Sequence, residues 1–164
     1  MDGARIEVNL EGLDRLIRQY PEAAGRARIS RLTEAMLLLE RAVKKLTPVG
    51  AGPIHLRDTI FQRVVAGGQS AEGILGTPMQ HGMPVEMGTR PHFPPVDPIR
   101  HWVERKLGLS GSEAASVAFL IARKISREGT TGAGMFDKGF SENEASVIRI
   151  LEQIPGDIIR EVNA

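Results

Sequence analysis

The chain has 164 residues, a formal net charge of +1 and no cysteine, with 41% apolar, 25% charged and 4% aromatic residues. That length suits one domain with a real buried core, and the near-neutral charge gives no bulk pull toward nucleic acid or a membrane. Missing cysteine excludes disulfides, thiol catalysis and thiolate metal sites, and so few aromatic rings disfavour a base-stacking platform. Met1-Asp2-Gly3-Ala4-Arg5 carries no apolar signal core, and no run approaches membrane-spanning length. The expectation is a soluble chain made in the cytoplasm.

Ile6, Val8 and Leu10 alternate with Glu7, Asn9 and Glu11, which predicts a short half-buried strand. Gly12 ends it, and Leu13, Leu16 and Ile17 return at helical spacing before Pro21. From Pro21 to about Leu46, Ile29, Leu32, Met36, Leu39, Val43 and Leu46 recur at threes and fours. That is a long amphipathic helix, with Lys44 and Lys45 in the last turn, where cations are favoured, and Thr47-Pro48 as its stop. The Leu37-Leu38-Leu39 run widens the stripe. A thick core helix explains that width, and so does a helix touching a second partner surface.

Val49 to Pro53 is a loop by composition. Thr59–Val65 and Gly73–Thr77, around a turn at Ala66–Ser70, read as an antiparallel hairpin. Five prolines then fall between Met83 and Pro98. Each fixes φ and removes a donor, so Arg90 to Asp97 is predicted to be a stiff extended connector, serving as rigid linker, docking surface or both. Pro84 to Met87 fits either a third strand or a single helical turn. Asp97 and Pro98 suit the N-cap and first position of the next helix. Ile99, Trp102, Val103 and Leu107 share one face of that helix, and Gly108 closes it.

Ser112 is the expected N-cap of a second helix whose face carries Ala114, Val117, Ala118, Ile121 and Ile125, with Leu120 beside it. Arg123, Lys124 and Arg127 lie near its end. The glycine-rich stretch Gly129 to Gly134 reads as irregular, and Met135, Phe136 and Phe140 follow with no period. The Gly129–Phe140 segment is therefore predicted to be mobile in the free chain and ordered by a neighbouring subunit. The alternative is that its aromatics fold back on their own C-terminal helix. Ser141-Glu142-Asn143-Glu144 resembles a capping box, opening a helix with the stripe Ala145, Ile148, Leu151 and Ile154; Ile158, Ile159 and Val162 close the chain.

These elements predict an α+β fold in a single domain, 1–164. A small antiparallel sheet from Ile6–Leu10, Thr59–Val65 and Gly73–Thr77 is covered by the Pro21–Leu46 helix, with Ile29, Leu32, Met36, Leu39 and Val43 buried against it. Residues 1–82 form a helix-plus-sheet half, 83–98 the connector, and 99–164 a helical half.

Chemistry-bearing patterns are sparse. His55, His81, His92 and His101 show no HExxH spacing, no Gly-x-Ser-x-Gly elbow occurs, and Glu86 with Asp97 is the carboxylate pair that could serve acid–base work. The reading assigns no catalytic, cofactor or metal residues. A hydrolase built on Glu86, Asp97 and a histidine is one alternative. A DNA-contacting neck or regulatory module using Arg123, Lys124 and Arg127 with Lys44 and Lys45 is another.

The run Pro84-Val85-Glu86-Met87-Gly88-Thr89-Arg90-Pro91-His92 resembles the P-x-V-E-x-G-T signature of a tailed-phage tail-completion family, of the lambda-like minor tail protein Z kind. Leu46-Thr47-Pro48-Val49-Gly50 followed by Leu56-Arg57-Asp58-Thr59-Ile60 is similar to the family's T-P-x-x-T-G-x-L-R-x-S-I segment, departing where Ala51 to His55 lengthen the loop. Val117 to Ile125, then Gly129-Thr130 and the aromatic Phe136, resemble the family's helix and trailing G-T loop. The resemblance covers most of the chain from Leu46 to Phe136. It implies a non-enzymatic virion protein, made in the bacterial cytoplasm and placed at the head-proximal end of the tail. Its implied partners are other copies of itself in a ring and tail-terminator, tail-tube or head–tail connector proteins, with passing contact with packaged DNA and no membrane. Heterologous interfaces close such a ring, and the residues expected to form them are Glu86, Gly88, Thr89, Arg90, Phe93, Met135, Phe136 and Phe140, together with the Gly50–Ile54 loop.

Overall fold

A computed structural model describes residues 12–50, 55–67 and 70–164. The expected strand Ile6–Leu10 and most of the Gly50–Ile54 loop lie outside the described residues. In chain order the elements are α1 (Leu13–Gln19), α2 (Pro21–Leu46), α3 (Leu56–Thr59), β1 (Phe61–Gly67), β2 (Ser70–Gly76), α4 (Gly82–Met87), β3 (Gly88–Thr89), α5 (Val96–Leu107), α6 (Gly111–Glu128), β4 (Thr130–Thr131), α7 (Met135–Ser141), α8 (Glu144–Leu151) and α9 (Ile154–Val162). The fold is α+β. The chain divides into two compact units that interleave in sequence: 1–46, 60–76 and 136–164 form the first, and 47–59 with 77–135 the second.

In the first unit α2 is the central element. Pro21 opens it, where a missing N–H costs nothing, and Lys44 and Lys45 occupy its last turn. Its C-terminal half buries Ala35, Met36 and Leu39 against Val64 and Leu75 of the hairpin and Val147 of α8. The hairpin is antiparallel, with Phe61 opposite Gly76 and Gly67 opposite Ser70, so both strands run further toward the turn than Thr59–Val65 and Gly73–Thr77. Thr59 belongs to α3. Val64 and Leu75 face the helix while Phe61 and Val65 face outward, the alternation that a one-sided sheet requires.

The N-terminal half of α2 departs from the expected stripe. Met36, Leu39 and Val43 are buried as predicted, but Leu32 is half-buried and Ile29 is 41% exposed. The contact face there is Ala23, Ala24 and Ala27, packed with Ile154 and Ile158 of α9 and flanked by Leu13, Leu16 and Ile17 of α1. Ile29 sits two residues from Ala27 and so on the far side of the helix. Small side chains let α9 approach closely, which larger ones would prevent.

Two ends in this unit also differ from expectation. Ser141 is the last residue of α7 and Asn143 precedes α8, so the capping box does not form. The Asn143 amide instead donates to the Gly139 carbonyl at 2.9 Å. Gly139 is buried where an added Cβ would press on Val43 Cγ2 at 2.6 Å, which is how α7 reaches α2. In α8 it is Val147, not Ala145, that is buried.

In the second unit α5 and α6 form a helical hairpin around Val103, Ala114 and Ala118, turning at Gly108, which has φ 68°. Trp102 and Leu107 of the expected stripe stay exposed. Helix α5 begins at Val96 after extended Pro95, so Asp97 is inside the first turn and does not cap. Pro98 is tolerated there because the first N–H groups of a helix have no intrahelical partner. Ser110, extended at φ −144° and ψ 167°, rather than Ser112, precedes α6.

Candidate functional site

The signature stretch resolves into three pieces. Gly82–Met87 is the helical turn α4, which settles the strand-or-turn alternative. Gly88–Thr89 is strand β3, and Arg90 to Pro95 is the extended connector. Strand β3 pairs antiparallel with β4, Gly88 opposite Thr131 and Thr89 opposite Thr130. Two separate motifs, Val85–Thr89 and Gly129–Thr130, therefore meet in one clasp.

Glycine makes the clasp possible. Gly88 at φ 81°, ψ −177° and Gly129 at φ 74°, ψ −158° both occupy a region of backbone space that is essentially glycine's alone. A Cβ on Gly88 would overlap the Thr130 carbonyl oxygen, and one on Gly129 the Thr89 carbonyl oxygen. The pairing continues beyond the strands: the Ala133 N–H donates to the Val85 carbonyl at 2.8 Å and the Gly134 N–H to the Glu86 carbonyl at 3.0 Å. The hydroxyls of Thr89 and Thr130 meet at 3.0 Å.

The connector is clipped to α6. The His92 N–H donates to the Ile125 carbonyl at 3.4 Å, and the His92 ring is held on the Arg90 carbonyl at 2.9 Å. The Phe93 ring meets Phe119 with centroids 6.3 Å apart at 57°. Both rings remain about half in solvent, Phe93 at 57% and Phe119 at 51%, and Leu120 beside them is 59% exposed. The result is an apolar ridge on a stiff support. Periodicity placed Leu120 off the buried face but passed over Phe119. Two adjacent large apolar residues out of phase with a helix stripe were the available signal.

Of the residues expected at an interface, Glu86, Gly88, Thr89, Arg90 and Phe93 do cluster around the clasp. The others do not join them as an exposed patch. Met135 is fully buried, Phe136 is half-buried, and Phe140 packs in the first unit against the Ala35–Met36–Leu39 cluster. The free glycine-rich arm is thus corrected: residues 130–131 form a strand and 135–141 a helix, because the glycines accept backbone partners that no local pattern announces.

Candidate chemical groups stay apart in role. Asp97 is an exposed first-turn carboxylate 3.8 Å from Arg100, and His101 lies 3.3 Å from Glu104. Among the described residues no three His, Asp or Glu side chains gather as metal ligands, and no helix is long and apolar enough to cross a membrane. Lys44 pairs with Glu40 at 2.5 Å and Lys124 with Glu128 at 3.9 Å. No protein-family model, curated protein or solved structure matches this chain.

Proposed function

We propose that the chain is a virion structural protein of a tailed phage or prophage, completing the head-proximal end of the tail for head–tail joining through protein–protein contacts and without an enzymatic step. One observation carries the reading. The Val85–Thr89 and Gly129–Thr130 segments resemble the family's motifs separately, and they pair strand to strand. Chance resemblance of unrelated fragments gives no reason for them to be neighbours. The Phe93–Phe119–Leu120 ridge supports it further, since exposed apolar side chains on a rigid support suit a contact surface. The partners in this reading are copies of the same chain in a ring and a tail-terminator, tail-tube or connector protein. Passing contact with packaged DNA belongs to the same reading, which places the protein in the virion after synthesis in the host cytoplasm.

Electron micrographs of a lysate lacking the protein test it. The expected result is DNA-filled heads beside unattached tails of normal length. Empty heads, absent tails or fully joined particles would overturn it.

A further inference from the structure

The first unit carries a cleft of about 620 Å³ along the flank of α2 beside its buried stripe, walled by Glu34, Leu38, Ala42 and Lys45 on one side and by Asn143 and Ile150 on the other, with Leu38 and Ile150 also packed against the Ala35–Met36–Leu39 cluster. Its apolar floor is open to solvent: Leu37 is exposed and Leu38 half-buried. In the second unit α6 presents the Phe119–Leu120 ridge.

The two helices carry matching patterns. On α2, Glu34, Leu38 and Lys45 stand at i, i+4 and i+11. On α6, read backwards, Lys124, Leu120 and Glu113 stand at the same intervals. Eleven residues is close to three full turns, so each triplet lies on one face and spans about 16 Å. Antiparallel alignment of α6 on α2 sets Leu120 on Leu38, Lys124 against Glu34 and Glu113 against Lys45. It also sets Ser116 opposite Ala42, two small residues where the backbones must approach. Parallel alignment with Leu120 kept on Leu38 would set Lys45 against Arg127 and leave Glu34 facing Ser116, so neither charge pair would form. Glu113, Ser116 and Lys124 are exposed, and among the described residues neither Lys45 nor Glu113 makes an ion pair. Glu34 holds Arg31 at 2.8 Å and Lys124 holds Glu128 at 3.9 Å, both contacts within a helix surface that docking can share.

We propose that the Leu120 face of α6 in one copy, the Glu113–Leu120–Lys124 edge of the ridge, docks antiparallel in the α2 cleft of a second copy, so that copies join head to tail. Cleft and ridge are different surfaces, which makes the contact heterologous and able to continue around a ring. The apolar centre supplies attraction, while the two terminal charge pairs, which form only in the antiparallel register, set direction. This rests on the ring of the preceding section and names its interface.

Charge reversal tests it by sedimentation of the whole chain. Glu34→Lys alone and Lys124→Glu alone should each raise the concentration at half-assembly by roughly tenfold. An equimolar mixture of the two should assemble as the wild type does, since every contact then pairs opposite charges and the copies alternate. Lys45→Glu with Glu113→Lys repeats the experiment away from Arg31. The chain has no cysteine, so Ala42→Cys and Ser116→Cys, placed on separate chains, should cross-link only between copies.

Single variants that assemble like the wild type, a mixture no better than its components, or no cross-link between chains would each overturn the interface. A disulfide that forms only when both cysteines share one chain would do so as well. A wild-type ring built on another surface would still leave the virion reading standing. Assembly through this pair, together with joined particles in the null lysate, would instead keep the interface and remove the virion reading.

Discussion

The two small sheets of this protein are built on opposite principles. In the β1–β2 hairpin, seven residue pairs run in register, and what holds the hairpin in place is side-chain burial of Val64 and Leu75 on α2. In the β3–β4 clasp, two pairs suffice, and what holds them is backbone approaching backbone through glycines that have no Cβ. A hairpin of the first kind tolerates change wherever a neighbouring side chain can move. A clasp of the second kind tolerates none at its crossing points, because carbonyl groups cannot yield. The Gly-Thr pairs that carry the family resemblance are therefore folding devices first. What they position is the connector that carries Phe93, whose half-exposed ring meets Phe119.

That contrast is broken most directly at Gly88. Gly88→Ala forces an L residue into glycine's own backbone region and drives a methyl group into the Thr130 carbonyl. The expected cost is about 4 kcal/mol, with Gly129→Ala close behind. Denaturant titration followed by fluorescence of Trp102, which lies in the same unit as the clasp, reads it. A midpoint unchanged from wild type would mean that the clasp contributes nothing to this unit.

The hairpin's dependence on burial predicts the next effect. Leu39 is 2% exposed in the cluster that seats Val64 and Leu75, so Leu39→Ala should cost about 3 kcal/mol by lost transfer energy and the cavity left behind. Gly73→Ala sharpens the comparison. An added Cβ there meets the Met36 side chain, and a flexible thioether can move aside. The expected penalty is about 1 kcal/mol, far less than at Gly88 although both are strand glycines. Equal penalties at Gly73 and Gly88 would erase the distinction between the two sheets.

The same distinction explains what could be read from the sequence. The bounds of α2 were legible because Pro21 and Thr47-Pro48 punctuate a strong 3.6-residue period. The hairpin was legible, with its ends displaced, because β-branched runs flank a glycine turn. The alanine face at Ala23, Ala24 and Ala27 was not, since alanine carries too little apolar contrast to mark a buried side. At the candidate site, Glu86 to Phe93 stood out through its prolines, but its partner strand did not. Gly129 to Gly134 advertises conformational freedom, and nothing local says that this freedom serves a pairing with Gly88–Thr89 some forty residues away. For the same reason Met135 and Phe140 read as partner-seeking when they are core.

The smallest expected effect concerns charge, in the first unit, where α9 lies against α2. Arg31 Nε donates to Asp157 Oδ2 at 2.5 Å and Nη2 to Oδ1 at 3.1 Å, and Arg160 reaches the same carboxylate. The hydrogen bond from Arg31 holds the Asp157 carboxyl below its ordinary value, against a smaller opposing effect of burial, with the nearby charges of Arg31 and Arg160 adding to the lowering. A carboxyl whose folded pKa is depressed contributes stability that is fully present above its unfolded value, roughly 3.9. That contribution is lost as pH falls through the folded pKa. Arg31 remains protonated throughout, its own pKa being raised chiefly by the hydrogen bond to Asp157. Asp157→Asn should therefore lower stability slightly at pH 7 and leave less to lose below pH 4, so the two unfolding curves converge on acidification. Burial of Ile154 and Ile158 is untouched by the substitution, which is why the effect stays small beside Leu39→Ala. Parallel curves from pH 7 to pH 3 would show that the apolar seam alone holds α9 and that the ion pair is ornamental.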